Sequence, residues 1–198
     1  DGTTVNTAEG GDADLDALVA PYNTQDAAVL EFEFTTDGGD LYFNWAFASE
    51  EYNEFVNSIF NDAFAFFVDG VNIALAPDGQ VATINSINCG NPYDSLQVID
   101  NCSSFNNNDP SDSTSPFATE YDGFTDVFTA EFLGLGAGTH SIKIAIADTS
   151  DGQLDSAVFI QAGSFSDQPT NSVPEPGVLA LLGLGLAGMT FTRRRKLN

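Results

Sequence analysis

Carboxylates make up most of the side chains in this sequence that could do chemistry. They gather at Asp12, Asp14 and Asp16, at Asp37 and Asp40, at Glu50 and Glu51, at Asp62, at Asp122 and Asp126, and at Asp148, Asp151 and Asp155. Clustered oxygen donors suit calcium, a hard cation that takes about six to eight of them. Asp12, Asp14 and Asp16 open with the spacing of an EF-hand loop, but the motif fails: Ala17 stands where the turn glycine belongs and Asn23 where the closing glutamate belongs. The more promising set is Glu50, Glu51 and Asp62, around one segment, with Asp148, Asp151 and Asp155, around a loop between two strands. If those loops meet at one end of the fold, a calcium site follows; otherwise the acids are a solvated surface that keeps the chain soluble. Paired carboxylates could also hydrolyse glycosides, which only their separation in space would reveal.

Other catalytic chemistry is thinly supplied. His140 is the sole histidine, so a Ser-His-Asp or Cys-His arrangement would have to use it. It leads a strand in Gly138-Thr139-His140 and reads as an exposed edge residue. Cys89 and Cys102 are the two cysteines, without a CxxC motif or a histidine cluster to suggest zinc. Nucleic acid is an improbable partner for a chain with 29 Asp and Glu against 5 Lys and Arg, a formal charge of −24, because phosphate binding needs cations. Four of those five cations are Arg193, Arg194, Arg195 and Lys196; before them stands only Lys143.

The elements that position these groups read as strands. A hydrophobic share of 42% and 17 Phe supply a core despite the charge. Residues 1–26 form a polar arm whose cluster Leu15, Leu18 and Val19 reads as one helical turn or a pinned arm; the start at Asp1 reads as processed or trimmed. From residue 27 apolar residues recur with period two: Leu30, Phe32, Phe34; Leu41, Phe43, Trp45, Phe47; Phe64, Phe66, Val68; Val71, Ile73, Leu75; Phe124, Phe128, Ala130, Phe132 as one strand; Ile142, Ile144, Ile146; and Val158 with Ile160, Phe159 facing the other way. Asp69-Gly70 between two runs predicts a tight hairpin. Ser49–Phe60 predicts a short helix, with Ser49 as N-cap, Glu50 and Glu51 in its first turn and Phe55 and Ile59 four apart. Residues 103–118 read as a long exposed loop. The expected fold is all-β, an antiparallel, jelly-roll-like sandwich over residues 27–165 with one short helix.

The chain changes character after Phe165. Residues 166–176 form a linker stiffened by Val173-Pro174-Glu175-Pro176, and residues 177–198 hold a hydrophobic helix and the basic cluster. About 15 helical residues reach about 22 Å, short of the roughly 30 Å of bilayer hydrocarbon, which snorkelling and thinning make up in part. The cations Arg193, Arg194, Arg195 and Lys196 hold the tail in the cytoplasm and put the acidic body outside. In an exported chain Cys89 and Cys102 are expected to form a disulfide, two free buried thiols being the alternative.

Val173-Pro174-Glu175-Pro176, the Gly/Leu-rich segment and the basic end together resemble a PEP-CTERM sorting signal. That resemblance implies an exported protein of a Gram-negative, biofilm-forming bacterium, whose tail an exosortase recognises at the Pro-Glu-Pro triplet and removes. The body, through Phe47-Ala-Ser-Glu-Glu-Tyr-Asn-Glu-Phe55, Phe60-Asn-Asp-Ala-Phe-Ala-Phe-Phe-Val-Asp-Gly70, Tyr121-Asp-Gly-Phe-Thr125, Ile144-Ala-Ile-Ala-Asp148, Asp155-Ser-Ala-Val-Phe-Ile160 and Gly163-Ser-Phe165, resembles the choice-of-anchor L domain family from about residue 12. This implies an extracytoplasmic β-rich domain with no established enzymatic activity and no defined site residues. The leading expectation is a non-enzymatic surface or matrix protein that binds polysaccharide or other matrix components. The competing expectations are a carbohydrate-active hydrolase on a lectin-like sandwich, favoured by stacking aromatics such as Trp45 or Tyr121 in a cleft, and an adhesin with calcium-stiffened loops.

Overall fold

The computed structural model describes residues 6–94, 98–109 and 117–169. The sorting motif Val173–Pro176, the hydrophobic segment and the basic cluster lie outside the described residues. Among the described residues no helix is long and apolar enough to cross a membrane.

Among the described residues one α-helix and ten strands follow in chain order, besides two single 3-10 turns: α1 (Ala13–Val19), β1 (Thr24–Thr36), β2 (Gly39–Ser49), β3 (Ala63–Val68), β4 (Val71–Asn72), β5 (Ala82–Thr83), β6 (Phe105–Asn107), β7 (Gly123–Thr125), β8 (Phe128–Leu135), β9 (Gly138–Thr149) and β10 (Ser156–Ile160). They form two five-stranded antiparallel sheets. The first runs β1-β9-β3-β4, with β5 also on β3; the second runs β10-β2-β7-β6, with β8 also on β2. The expected antiparallel β-sandwich is the observed fold.

Period-two alternation explains the layers. Phe43, Trp45 and Phe47 of β2 face Phe64, Phe66 and Val68 of β3, all buried. Phe43 packs at a tilt against Phe66 with centroids 4.1 Å apart, and Trp45 meets Phe64 at 5.1 Å. The other face of β3 and β9 is covered as well: Ala65, Phe67, Ala145 and Ala147 form a second small core with Leu15 beneath α1. That is why the run Ala-Phe-Ala-Phe-Phe-Val is buried at every position. The arm cluster is therefore a pinned helix, with Leu15 and Val19 buried and Asp12 capping it through hydrogen bonds from the Asp14 and Leu15 amides. The hairpin forms as expected, with Asp69 and Gly70 at φ of 48° and 79°.

Four expectations are corrected. Ser49–Phe60 is not a helix but a chain of tight turns. Phe55 donates to the Glu51 carbonyl, yet Val56 and Ser58 turn back three residues, and Asn57 sits in the left-handed region at φ 65°. Glu50, Glu51, Tyr52 and Asn53 are all buried, which successive residues of a surface helix cannot be. The 103–118 stretch is not wholly exposed loop: β6 pairs with β7, and Asn108 and Asp109 are buried. The Phe124–Phe132 run is two strands. Ala48 pairs with Phe124 and Trp45 with Phe128, so four residues on one strand span three on the other. This extra residue puts Phe124 on the outer face and Phe128 in the core, although their spacing is even. Finally, Leu30 and Phe32 remain substantially exposed on β1, the edge strand of the first sheet next to β9.

Candidate functional site

The ends of β2 and β9, the approach to β3 and the loop before β10 converge at one end of the sandwich. Glu51 follows β2, Asp62 precedes β3, Asp148 is the penultimate residue of β9, and Asp151 and Asp155 lie on the β9–β10 loop. The Glu50 amide donates to the Asp155 carbonyl at 3.2 Å, tying the two loops together. Asp62, wholly buried, accepts from the Thr149 amide at 2.9 Å and the Ser156 hydroxyl at 2.8 Å. It is thus the clasp between β3, β9 and β10.

The carboxylates act on one another. Burial, then the charges of Asp62, Asp151 and Asp148, push the Glu51 carboxyl up to about 9. Burial, with Asp62 and Asp155 behind it, raises Asp148 to about 8. Asp62 reaches about 7 because burial outweighs its two hydrogen bonds. Glu51 is 2% exposed, and its Oε2 has no hydrogen-bond partner; the Tyr52 hydroxyl beside Asp62 is likewise buried without one. The charge of Glu50 acts instead on Tyr121 and Asp122.

Of the six residues singled out for calcium, the structure thus brings Glu51, Asp62, Asp148, Asp151 and Asp155 into one electrostatic cluster and sets Glu50 on its flank. Among the described residues no three His, Cys, Asp or Glu side chains are placed to hold a metal ion together. A cavity of about 280 Å³ adjoins the cluster, lined by Asp148, Asp155 and Ser156, with Tyr121, Thr7 and Asp26. Sequence reasoning missed Asp26. It reaches the cavity from a β-bulge in β1, between Gln25 and Ala28, with φ at 51°.

A second feature lies on the outer face of the second sheet. Phe117, Tyr121, Phe124 and Phe159 surround a hollow of about 260 Å³ over Ala46 and Ala48. Tyr121 meets Phe159 edge-on at 6.1 Å, and Phe117 meets Phe124 at 4.8 Å. Trp45 is 1% exposed and belongs to the core, so Tyr121 is the aromatic left for stacking.

The remaining candidates have structural partners. His140 is held at both ring nitrogens, Nδ1 at 2.6 Å from Asp69 and Nε2 at 2.9 Å from the Gly136 carbonyl, so neither is turned to a nucleophile. Asp12, Asp14 and Asp16 secure the arm through Lys143 and Thr24 rather than forming a cation loop. Cys89 and Cys102 form the expected disulfide, with Cα atoms 4.6 Å apart, beside the paired backbones of Asn88 and Asp100.

No curated protein matches the chain. Residues 172–196 match the PEP-CTERM protein-sorting motif. The motif marks an exported protein held transiently in the membrane by its C-terminus, processed by an exosortase and left at the cell surface. Residues 1–166 match the choice-of-anchor L domain, and by that match over most of its length the chain belongs to the choice-of-anchor L domain family.

Proposed function

We propose that this surface protein is a non-enzymatic component of a biofilm matrix and holds matrix polysaccharide in the aromatic hollow of its second sheet. The observation that carries the reading is the set of four rings, Phe117, Tyr121, Phe124 and Phe159, around a floor of two alanines. A sugar ring has an apolar face of C–H groups and a rim of hydroxyls. Aromatic faces accept the first, and a polar tip such as the Tyr121 hydroxyl serves the second. The rings belong to the β10 strand, the β7 strand and the segment leading into β7, so a packed sheet supports most of the hollow.

What supports a binding role over a catalytic one is the placement of the acids. Glu51 and Asp62 are buried away from the hollow's lining, and His140 is occupied at both nitrogens. The test is retention of the full chain on extracellular polysaccharide from its host, with reducing-end release assayed on the same material. Retention without new reducing ends, lost in Phe159→Ala, is the expected result. Accumulating reducing ends would establish the hydrolase instead, and retention unaffected by Phe159→Ala would remove the hollow from the reading.

A further inference from the structure

The chain leaves the body beside an open apolar seam. Ser166 is fastened to Tyr42 by two backbone hydrogen bonds, at 2.8 and 3.0 Å, and the described residues end three positions later, at Pro169. A cavity of about 350 Å³ opens there, lined by Phe32, Phe34, Ile142 and Phe165 and by the departing chain itself at Ser166 and Asp167. Leu30 and Phe32 lie opposite Ile144 and Ile142 across β1 and β9, so they share the face that builds the core. Yet Leu30 is 58% exposed, Phe32 41% and Phe165 43%. The core face therefore continues beyond the point where anything among the described residues covers it. Large apolar side chains left exposed together mark a surface that meets a partner.

Charge and chain length say which partner. Glu31 and Glu33 flank Phe32 on β1 and Asp167 stands at the seam, whereas the body's single lysine is held by Asp12 and Asp14. A second copy docked edge to edge here would bring two sets of these acids together with no cation between them. An uncharged apolar phase carries no such cost. The sorting motif puts one within reach, since it holds the chain in the membrane by its C-terminus. Gly177, the first residue of the hydrophobic stretch, follows Ser166 by eleven positions, a reach of at most about 40 Å.

We propose that, while the tail is in the membrane, the body rests on the lipid surface through this seam, with Leu30, Phe32 and Phe165 entering the headgroup–acyl boundary. The partner is a zwitterionic bilayer, because the acids beside the seam repel anionic headgroups. Three side chains alone bind a membrane only marginally, as a single acyl chain does. The tether supplies what they lack, by holding the surface at an effective concentration on the order of millimolar. Removal of the tail abolishes that advantage, so the cut that frees the chain also loosens the seam. This inference rests on the sorting motif and not on polysaccharide binding, and each can fail alone.

The test uses the full chain reconstituted through its tail into phosphatidylcholine vesicles with brominated acyl chains, which quench tryptophan only at short range. Two probes are compared: Phe32→Trp on the seam, and Val71→Trp on β4, which is 55% exposed at the opposite edge of the same sheet. Trp45, the chain's only tryptophan, is buried and gives the same background in both. A side chain sunk about 5–10 Å into the boundary meets the bromines, so the Phe32→Trp probe should be quenched about twofold more strongly or better. Adding Leu30→Asn should bring it down toward the Val71→Trp level. Should Phe32→Trp fail to fold, Leu30→Trp reads the same face. Equal quenching of the two probes, or none, would mean a body that tumbles freely on its tether and would overturn the seam. A seam probe shielded from both bromine and aqueous acrylamide would show that protein covers it, a second copy or the tail, and would overturn the lipid contact equally.

Discussion

The Lys143 ammonium lies 2.8 Å and 2.7 Å from the two carboxylate oxygens of Asp12, and Asp12 is also the residue that caps α1. One carboxylate thus starts the helix and fastens it to β9. Asp14 adds a third contact at 2.6 Å, and the ammonium nitrogen lies over the Phe67 ring, 5.7 Å from its centroid. The body's only lysine therefore closes the small outer core rather than scattering its charge over an acidic surface.

Substitutions here separate the cap from the ion pair. Asp12→Asn keeps the capping oxygen and loses the full charge, whereas Asp12→Ala loses both. Urea denaturation should show Asp12→Ala about 1 kcal/mol less stable than Asp12→Asn, the ordinary worth of a cap. Lys143→Met keeps the packing on Phe67 and should lose about 1–2 kcal/mol, more than a fully exposed pair would, because both side chains are only 15% exposed. Equal stability for the two Asp12 variants would show that the cap contributes nothing.

The disulfide closes a loop with a sequence separation of 13. A loop of that size constrains the unfolded chain by about 3 kcal/mol in the chain-entropy account. Cys89→Ala with Cys102→Ala should lower the denaturation midpoint accordingly and speed amide exchange at Asn88 and Asp100, whose backbones pair beside the crosslink. Unchanged exchange at those two amides would separate the crosslink from the local structure.

His140 and Asp69 give the fold a pH dependence with a defined sign. The Asp69 hydrogen bond, then the Gly136 carbonyl, raises His140 above its ordinary 6.5; the His140 hydrogen bond, then the Ser141 amide, lowers Asp69 below its ordinary 3.8. The His140 contribution is present in full below 6.5 and is lost as pH rises through the folded value. The Asp69 contribution is present above 3.8 and is lost as pH falls through its lowered value. The pair therefore acts most strongly between those limits. NMR titration of the imidazole should give a value above 6.5, and Asp69→Asn should bring it down.

Much of this architecture was legible because each signal had a local physical cause. Asp69-Gly70 needs two positive φ angles, and alternation from Leu41 to Phe47 needs one buried face. The 49–60 segment misled because Ser49, Glu50 and Glu51 carry helix-start chemistry, whereas their burial comes from loops distant in sequence. The Ser49 hydroxyl does accept from the Glu51 amide at 2.9 Å, but the turn stops there. Of the acidic site, the residue types were readable and most of the grouping came together. Asp26 was hidden because a bulge, invisible to period-two counting, brings it to the cavity.

Processing gives the last prediction. The sorting motif spans residues 172–196, so removal of the tail at Pro174–Pro176 takes away Arg193, Arg194, Arg195 and Lys196 together. Intact mass of the protein from its host should show a C-terminus near Pro176, and its isoelectric point should fall because Lys143 is then the only Lys or Arg in the chain. Cytoplasmic cations oppose transfer of the segment that carries them, so the basic cluster is expected to fix the orientation. Replacing all four cations with glutamine should therefore leave an uncut chain at full mass, even though Val173-Pro174-Glu175-Pro176 is untouched. Normal cleavage in that variant would mean that the triplet alone directs processing and that the cations do not set the topology.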